Sequence, residues 1–159
     1  MTKPNIERID ISSLSNGTIY DFETYDSGDL LYISKELKSG NTNYELIRSN
    51  GNTIIWKKDL GTNGGSLSKI GPNGDVVIIS SKNYYPTSSW VSKENPYITC
   101  IDKDGNKKWE KEFIGDGADA KQMDVKISNL GSTYFTFKTE SPSISVEGNQ
   151  LGIKNYNES

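Results

Sequence analysis

Histidine is absent from this chain of 159 residues, and cysteine occurs once. Without imidazole there is no Ser-His-Asp or Cys-His arrangement and no zinc site of the usual Cys/His spacing. A single thiol closes no intrachain disulfide, which suits a reducing compartment. Cys100 itself lies in the apolar stretch YITCI, where a buried small side chain is expected and not a nucleophile. Long apolar runs are also missing. No stretch approaches the ~20 residues that cross a bilayer as a helix, and the start, MTKPNIERIDI, lacks a signal peptide's apolar segment. The expected location is cytoplasmic, unless the chain is a fragment of a longer secreted protein. Basic blocks are lacking too: 18 Lys and Arg stand against 21 Asp and Glu, for a net charge of -3. No cationic stripe is there to displace counterions from phosphates, so nucleic acid is not an expected partner. Gly61-Thr62-Asn63-Gly64-Gly65 joins two strand-like runs and opens no helix, so it is no phosphate cradle.

Alanine stands only at positions 118 and 120. In its place are Ile, Tyr, Thr, Asn, Ser and Gly, the chemistry of strands and tight turns. The hydrophobic share is 33% and the mean hydropathy -0.65, so the core is lean. The expected fold is all-β, one domain over residues 1–159.

One short phrase recurs three times after a glycine-ended turn: GDLLYIS from Gly28, GDVVIIS from Gly74 and GSTYFTF from Gly131. Downstream of the first two comes a Gly-Asn turn leading into tryptophan, SNGNTIIWKKDLG around Trp56 and DKDGNKKWEKEFIG around Trp109. Repeats of this length, each holding several strands, indicate stacked antiparallel sheets. The units are read as 17–61, 66–115 and 121–156, with residues 5–11 (NIERIDI) as an extra N-terminal strand. In the first unit, strands are expected at 29–34, 44–48 and 53–58, with a polar loop over 38–43. The near-continuous apolar runs after Gly28 and Gly74 suit strands covered on both faces. Alternation puts Trp109 and Phe113 on one strand face and charged residues on the other. The third unit is expected either to end with strands at 144–146 and 151–156, Tyr156 standing where the tryptophan was, or to stop before its fourth strand.

The run CIDKDGNKKWEKEF resembles bacterial β-propeller repeats, both the quinoprotein-like kind, with Asp, Gly and Trp in a docking motif, and cell-surface repeats reading roughly D-x-x-G-N-x-x-W. The likeness covers about residues 17–140. It implies three propeller-like repeats in which Trp56 and Trp109 pack between neighbouring sheets. The copies differ: Gly51 precedes its tryptophan by five residues and Gly105 by four, so a β-bulge or a shifted turn is expected in the first. Quinoprotein chemistry does not carry over, because no cofactor machinery matches; no cofactor is expected. Three units are fewer than the 4–8 blades of a closed ring. The chain is then a partial propeller, a ring completed by a homo-oligomer, or a fragment of a larger quinoprotein-like or secreted propeller.

No catalytic or metal-binding set emerges. Asp102-Lys103-Asp104-Gly105-Asn106 superficially resembles a calcium loop, but Lys107 and Phe113 occupy the places of its Gly and bidentate Glu, so a hairpin turn is the better reading. The segment 115–119, with Asp124 beyond, reads as a connector. The distinctive piece is a long loop over residues 80–96, SSKNYYPTSSWVSKENP. Tyr84, Tyr85 and Trp90 give it aromatic faces, with Asn83 and Asn95 beside them. Such faces suit a protein hot spot or, with amide hydrogen bonds, a sugar ring. The expectation is a non-catalytic binding or scaffold module presenting loops to a protein, or alternatively a lectin-like one binding glycans.

Overall fold

Four five-residue segments, 25–29, 71–75, 102–106 and 128–132, close on themselves in one way. The amide of the first residue donates to the carbonyl of the fifth at 2.8–2.9 Å. The amide of the fourth, always glycine, donates to the carbonyl of the first at 2.9–3.1 Å. Gly28, Gly74, Gly105 and Gly131 hold φ between 77° and 90°, a conformation that costs glycine nothing and a side chain much. Each segment is a three-residue hairpin loop ending in a left-handed residue. The recurring phrase in the sequence is the strand that leaves this turn.

The computed structural model describes residues 17–62, 67–84, 93–115, 121–138, 144–146 and 149–151. The first sheet runs in chain order through β1 (Thr18–Thr24), β2 (Leu30–Lys38), β3 (Asn41–Asn50) and β4 (Thr53–Gly61), all antiparallel. The second repeats that order with β5 (Leu67–Ile70), β6 (Val76–Tyr84), β7 (Lys93–Ile101) and β8 (Lys107–Gly115). The third is the hairpin of β9 (Lys121–Ile127) and β10 (Thr133–Lys138). Among the described residues there is no helix, hence none long and apolar enough to cross a membrane. The chain is all-β, in three antiparallel sheets, none closed into a barrel.

Two expectations are corrected. The polar loop over 38–43 shrinks to Ser39 and Gly40, because β2 and β3 stay paired out to Lys38↔Asn41. The closing strands of the third unit do not complete the third sheet. Instead β11 (Ile144–Val146) pairs with β8 and β12 (Asn149–Leu151) with β11, making the second sheet six-stranded. Of the two causes expected for the unequal Gly-to-Trp spacing, a bulge or a shifted turn, the turn is the one observed, since a bulge occurs in both copies. Ile55 is passed over between Arg48↔Trp56 and Ser49↔Ile54, and Lys108 between Cys100↔Trp109 and Ile101↔Lys107. The unequal Gly-to-Trp spacing comes from the turns. Asn50 pairs directly with Thr53 across a two-residue loop, whereas Asp102 and Asn106 enclose three residues. Residues 5–11 and 152–159 lie outside the described set.

β5 lies beside β1 on one side and β9 on the other. Asp21 ties β1 to β5 by accepting the Ser68 amide at 2.8 Å and hydroxyl at 3.0 Å, and Lys69 pairs with Glu23. Around this line the sheets stack face to face. Val76, Ile78 and Ile101 meet Leu31, Ile33 and Leu46 of the first sheet. Val77, Ile79 and Ile98, on the opposite face, meet Val125, Phe135 and Phe137 of the third. The second sheet is thus covered on both sides, which is why VVII is uninterrupted. Full burial of each such side chain stabilises by about 1.5–3 kcal/mol.

A polar latch joins the first two sheets at the tryptophan turn. Trp56 Nε1 donates to the Lys103 carbonyl at 2.9 Å, and the indole covers Gly105, where a Cβ would come within 3.1 Å of Trp56 Cδ2. Arg48 Nη1 donates to the same carbonyl at 2.8 Å. Its Nε and Nη2 donate to Asp29 Oδ2 at 3.1 and 2.6 Å, while Asn50 donates to Asp29 Oδ1 at 2.7 Å. The Arg48 guanidinium also lies 4.0 Å from the centre of the Tyr25 ring. Asp29 is buried, and the Asn50 and Arg48 bonds hold its carboxyl below the usual range.

Candidate functional site

The long β6–β7 hairpin projects from the second sheet, and much of what the sequence presents as loop is strand. Pairing continues from Ser80↔Tyr97 through Ser81↔Pro96, Lys82↔Asn95 and Asn83↔Glu94 to Tyr84↔Lys93. Pro96 is tolerated because pairing with β8 starts one residue later, at Tyr97↔Glu112, so no neighbour on that side needs its missing amide. Asn83 and Tyr84 are placed by backbone at the distal end of β6. Their side chains, and all of Tyr85 and Trp90, lie outside the described residues. Asn95 is 3% exposed and points across the sheet. Its Nδ2 donates to Glu112 at 3.0 Å, and its Oδ1 accepts the Gly115 amide at 3.5 Å. In this position Asn95 braces the hairpin.

The bracing belongs to a ladder across three strands. Lys82 donates to Glu112 at 2.7 Å, Lys107 to Glu110 at 2.8 Å, and the Tyr97 hydroxyl to Glu110. Burial and the Glu110 bond push the Tyr97 phenol up to about 12. Glu110 is held below its ordinary value, first by Lys107 and then by Tyr97. Burial raises Glu112, but the Lys82 and Asn95 bonds outweigh it and leave that carboxyl low as well. At neutral pH Glu110 and Glu112 are therefore carboxylates and Tyr97 a neutral phenol.

This array forms one wall of a groove of about 290 Å³ between the first two sheets. Lys58, Asp59 and Leu60 of β4 form the facing wall, with Ser80, Tyr97 and Thr99 opposite. Near the turns the same inter-sheet gap is sealed by Val76, Ile78 and Ile101; toward the distal hairpin it becomes polar and opens. Residue types change from apolar to hydroxyl and charged along one strand face, so β6 and β7 make a core at one end and a polar, open surface at the other. The charged face of β8 is legible in the sequence. Its enclosure against β4 is not, because Lys58 and Thr99 share no local motif.

The remaining candidates resolve by contact. Cys100 is buried, and burial raises its thiol pKa, which disfavours the thiolate that a nucleophile needs. Asp102 spends its oxygens on its own turn, accepting the amides of Asp104 at 2.9 Å and Asn106 at 2.8 Å. Residues 116–120 are outside the described set. Among the described residues no cluster of three His, Cys, Asp or Glu is placed to hold a metal. Trp109, Lys111 and Phe113 all line a second, apolar groove of about 590 Å³, so the lysine shares the aromatic face and does not oppose it. No family model, curated protein or solved structure matches the chain.

Proposed function

We propose that the chain is a non-catalytic β-repeat module of propeller type that binds a protein partner at the distal β6–β7 hairpin and the adjoining groove. The observation that carries this reading is the change of one inter-sheet gap from sealed core to open polar groove, next to a hairpin whose end bears Tyr84, Tyr85 and Trp90 in sequence. A rigid array of paired charges with a neutral tyrosine supplies orientation, and an aromatic hairpin end supplies contact area. Support for the propeller type comes from the series β1, β5, β9 and from the tryptophan of one sheet docking on the turn of the next. In this reading a closed ring needs more than three sheets, supplied by further units or further copies.

Glycan binding is the second reading, favoured by the hydroxyls of Ser80, Tyr97 and Thr99 along the groove wall. Two experiments separate them. A photo-crosslinking residue at Tyr84 should capture a protein from the native host, and Lys58→Glu should reduce that capture at least tenfold. A glycan array should stay blank. An array signal abolished by the Tyr84/Tyr85/Trp90 triple alanine variant would replace the protein reading with the glycan one.

A further inference from the structure

The outer edge of β10 differs from its counterparts. In the first sheet β2 is paired by β3, and in the second β6 is paired by β7, but no strand among the described residues pairs with β10 on that side. Below this edge lies the apolar groove, floored by Ile98, Trp109 and Phe113 and walled by Thr133 and Phe135. Trp109 stands where Trp56 stands in the first sheet, with the same bulge before it. Trp56 is capped by the turn of the next hairpin, while Trp109 is 37% exposed.

We propose that this groove is a second docking place for the chain's own β11–β12 hairpin, which exchanges between the edge of β8 and the edge of β10. The segment has the matching sequence. Glu147-Gly148-Asn149 repeats Asp104-Gly105-Asn106, and the glycine-ended turns at 74 and 131 fix the rest of the alignment. Carrying over the pairs Val76↔Ile101 and Val77↔Cys100 predicts Thr133↔Ile144 and Tyr134↔Ser143. Thr133 faces the groove, so Ile144 opposite it enters the same groove beside Trp109. The Val146 carbonyl then stands where the Lys103 carbonyl receives Trp56, ready for the Trp109 N–H.

Reach and cost both permit the exchange. Five residues separate the end of β10 from Ile144, enough for a chain reversal that β2 and β3 make with two. At β8 the hairpin is held by three residue pairs, Ile144↔Gly115, Ser145↔Ile114 and Val146↔Phe113, against nine between β2 and β3, and by Ile144, 4% exposed in the core with Phe113, which re-enters an apolar groove at β10. Each position leaves the other of these two edges open.

Paired cysteines in a Cys100→Ser background test the exchange. Ile114→Cys with Ser145→Cys reports the β8 position, and Tyr134→Cys with Ser143→Cys reports the β10 position. Both pairs are expected to close within a monomer under mild oxidation, with circular dichroism unchanged. Closure of the second pair should shift Trp109 emission to the blue in a Trp90→Phe background, and closure of the first should not. Failure of the Tyr134/Ser143 pair to close, while the Ile114/Ser145 pair closes fully, would overturn the proposal. So would closure of the Tyr134/Ser143 pair only between molecules, which would assign the groove to a second copy.

Discussion

Arg48 makes three donations to two acceptors, and only one of those acceptors titrates. Asp29 holds its carboxylate below the ordinary value through the Asn50 and Arg48 bonds, so it takes up a proton less readily folded than unfolded. Its stabilisation is therefore complete above the unfolded pKa, ~3.9, and is lost as pH falls through the folded value. Asp29→Asn should lower the melting temperature at neutral pH and have much less effect at the acid end. Thermal melts across that range check it, and an equal loss at both ends would refute the role given to Asp29. The two tryptophans give a second residue-scale contrast. Trp56→Ala removes an indole that is hydrogen-bonded and packed on Gly105, and should cost about 3 kcal/mol. Trp109→Ala, at an open groove, should cost about 1 kcal/mol. Urea unfolding of both variants measures the difference; equal losses would mean that Trp109 is as tightly docked as Trp56. None of this latch is visible in the sequence beyond the tryptophans, because Asp29 and Arg48 lie 19 residues apart and share no motif.

Elements written in apolar residues were legible, and elements written in polar ones were not. The run 76–79 declared a strand covered on both faces, since every position is branched and apolar, and β6 is that strand. The part of the hairpin beyond Ser80 carries no such alternation, so residues 80–96 read as loop although five of the nine pairs joining β6 to β7 involve them. Side-chain bonds hold it, and these tie residues up to 30 apart in sequence. The same lack of signal hid the destination of β11: Ile144 and Val146 specify a strand but not which edge receives it. Glu112 is where the polar extension can be tested. Glu112→Ala removes the acceptor of a buried Asn95 amide and should cost about 1–3 kcal/mol. Lys82→Ala removes only an exposed partner and should cost under about 1 kcal/mol. Chemical denaturation ranks the pair, and a larger effect from Lys82→Ala would show that Asn95 has another acceptor.

Stacking three sheets in sequence makes the middle one answerable to both neighbours. The outward face of the third hairpin carries Asp124, Lys126, Thr136 and Lys138 with Tyr134, all exposed, so that face is largely polar. Adjacent residues of β6 serve different cores: Val76 contacts the first sheet and Val77 the third. Val76→Ala and Val77→Ala each remove two buried methyl groups and should cost about 2 kcal/mol. In a stack of nearest-neighbour contacts the two losses fall in different places. Hydrogen exchange should accelerate in β2 and β3 for Val76→Ala, and in β9 and β10 for Val77→Ala. Amides of β6 and β7 should stay the slowest in both variants, because they exchange only when both interfaces open. If instead every amide accelerates equally in both variants, the three sheets unfold as one unit, and the hairpin exchange at β10 would have no local opening from which to start.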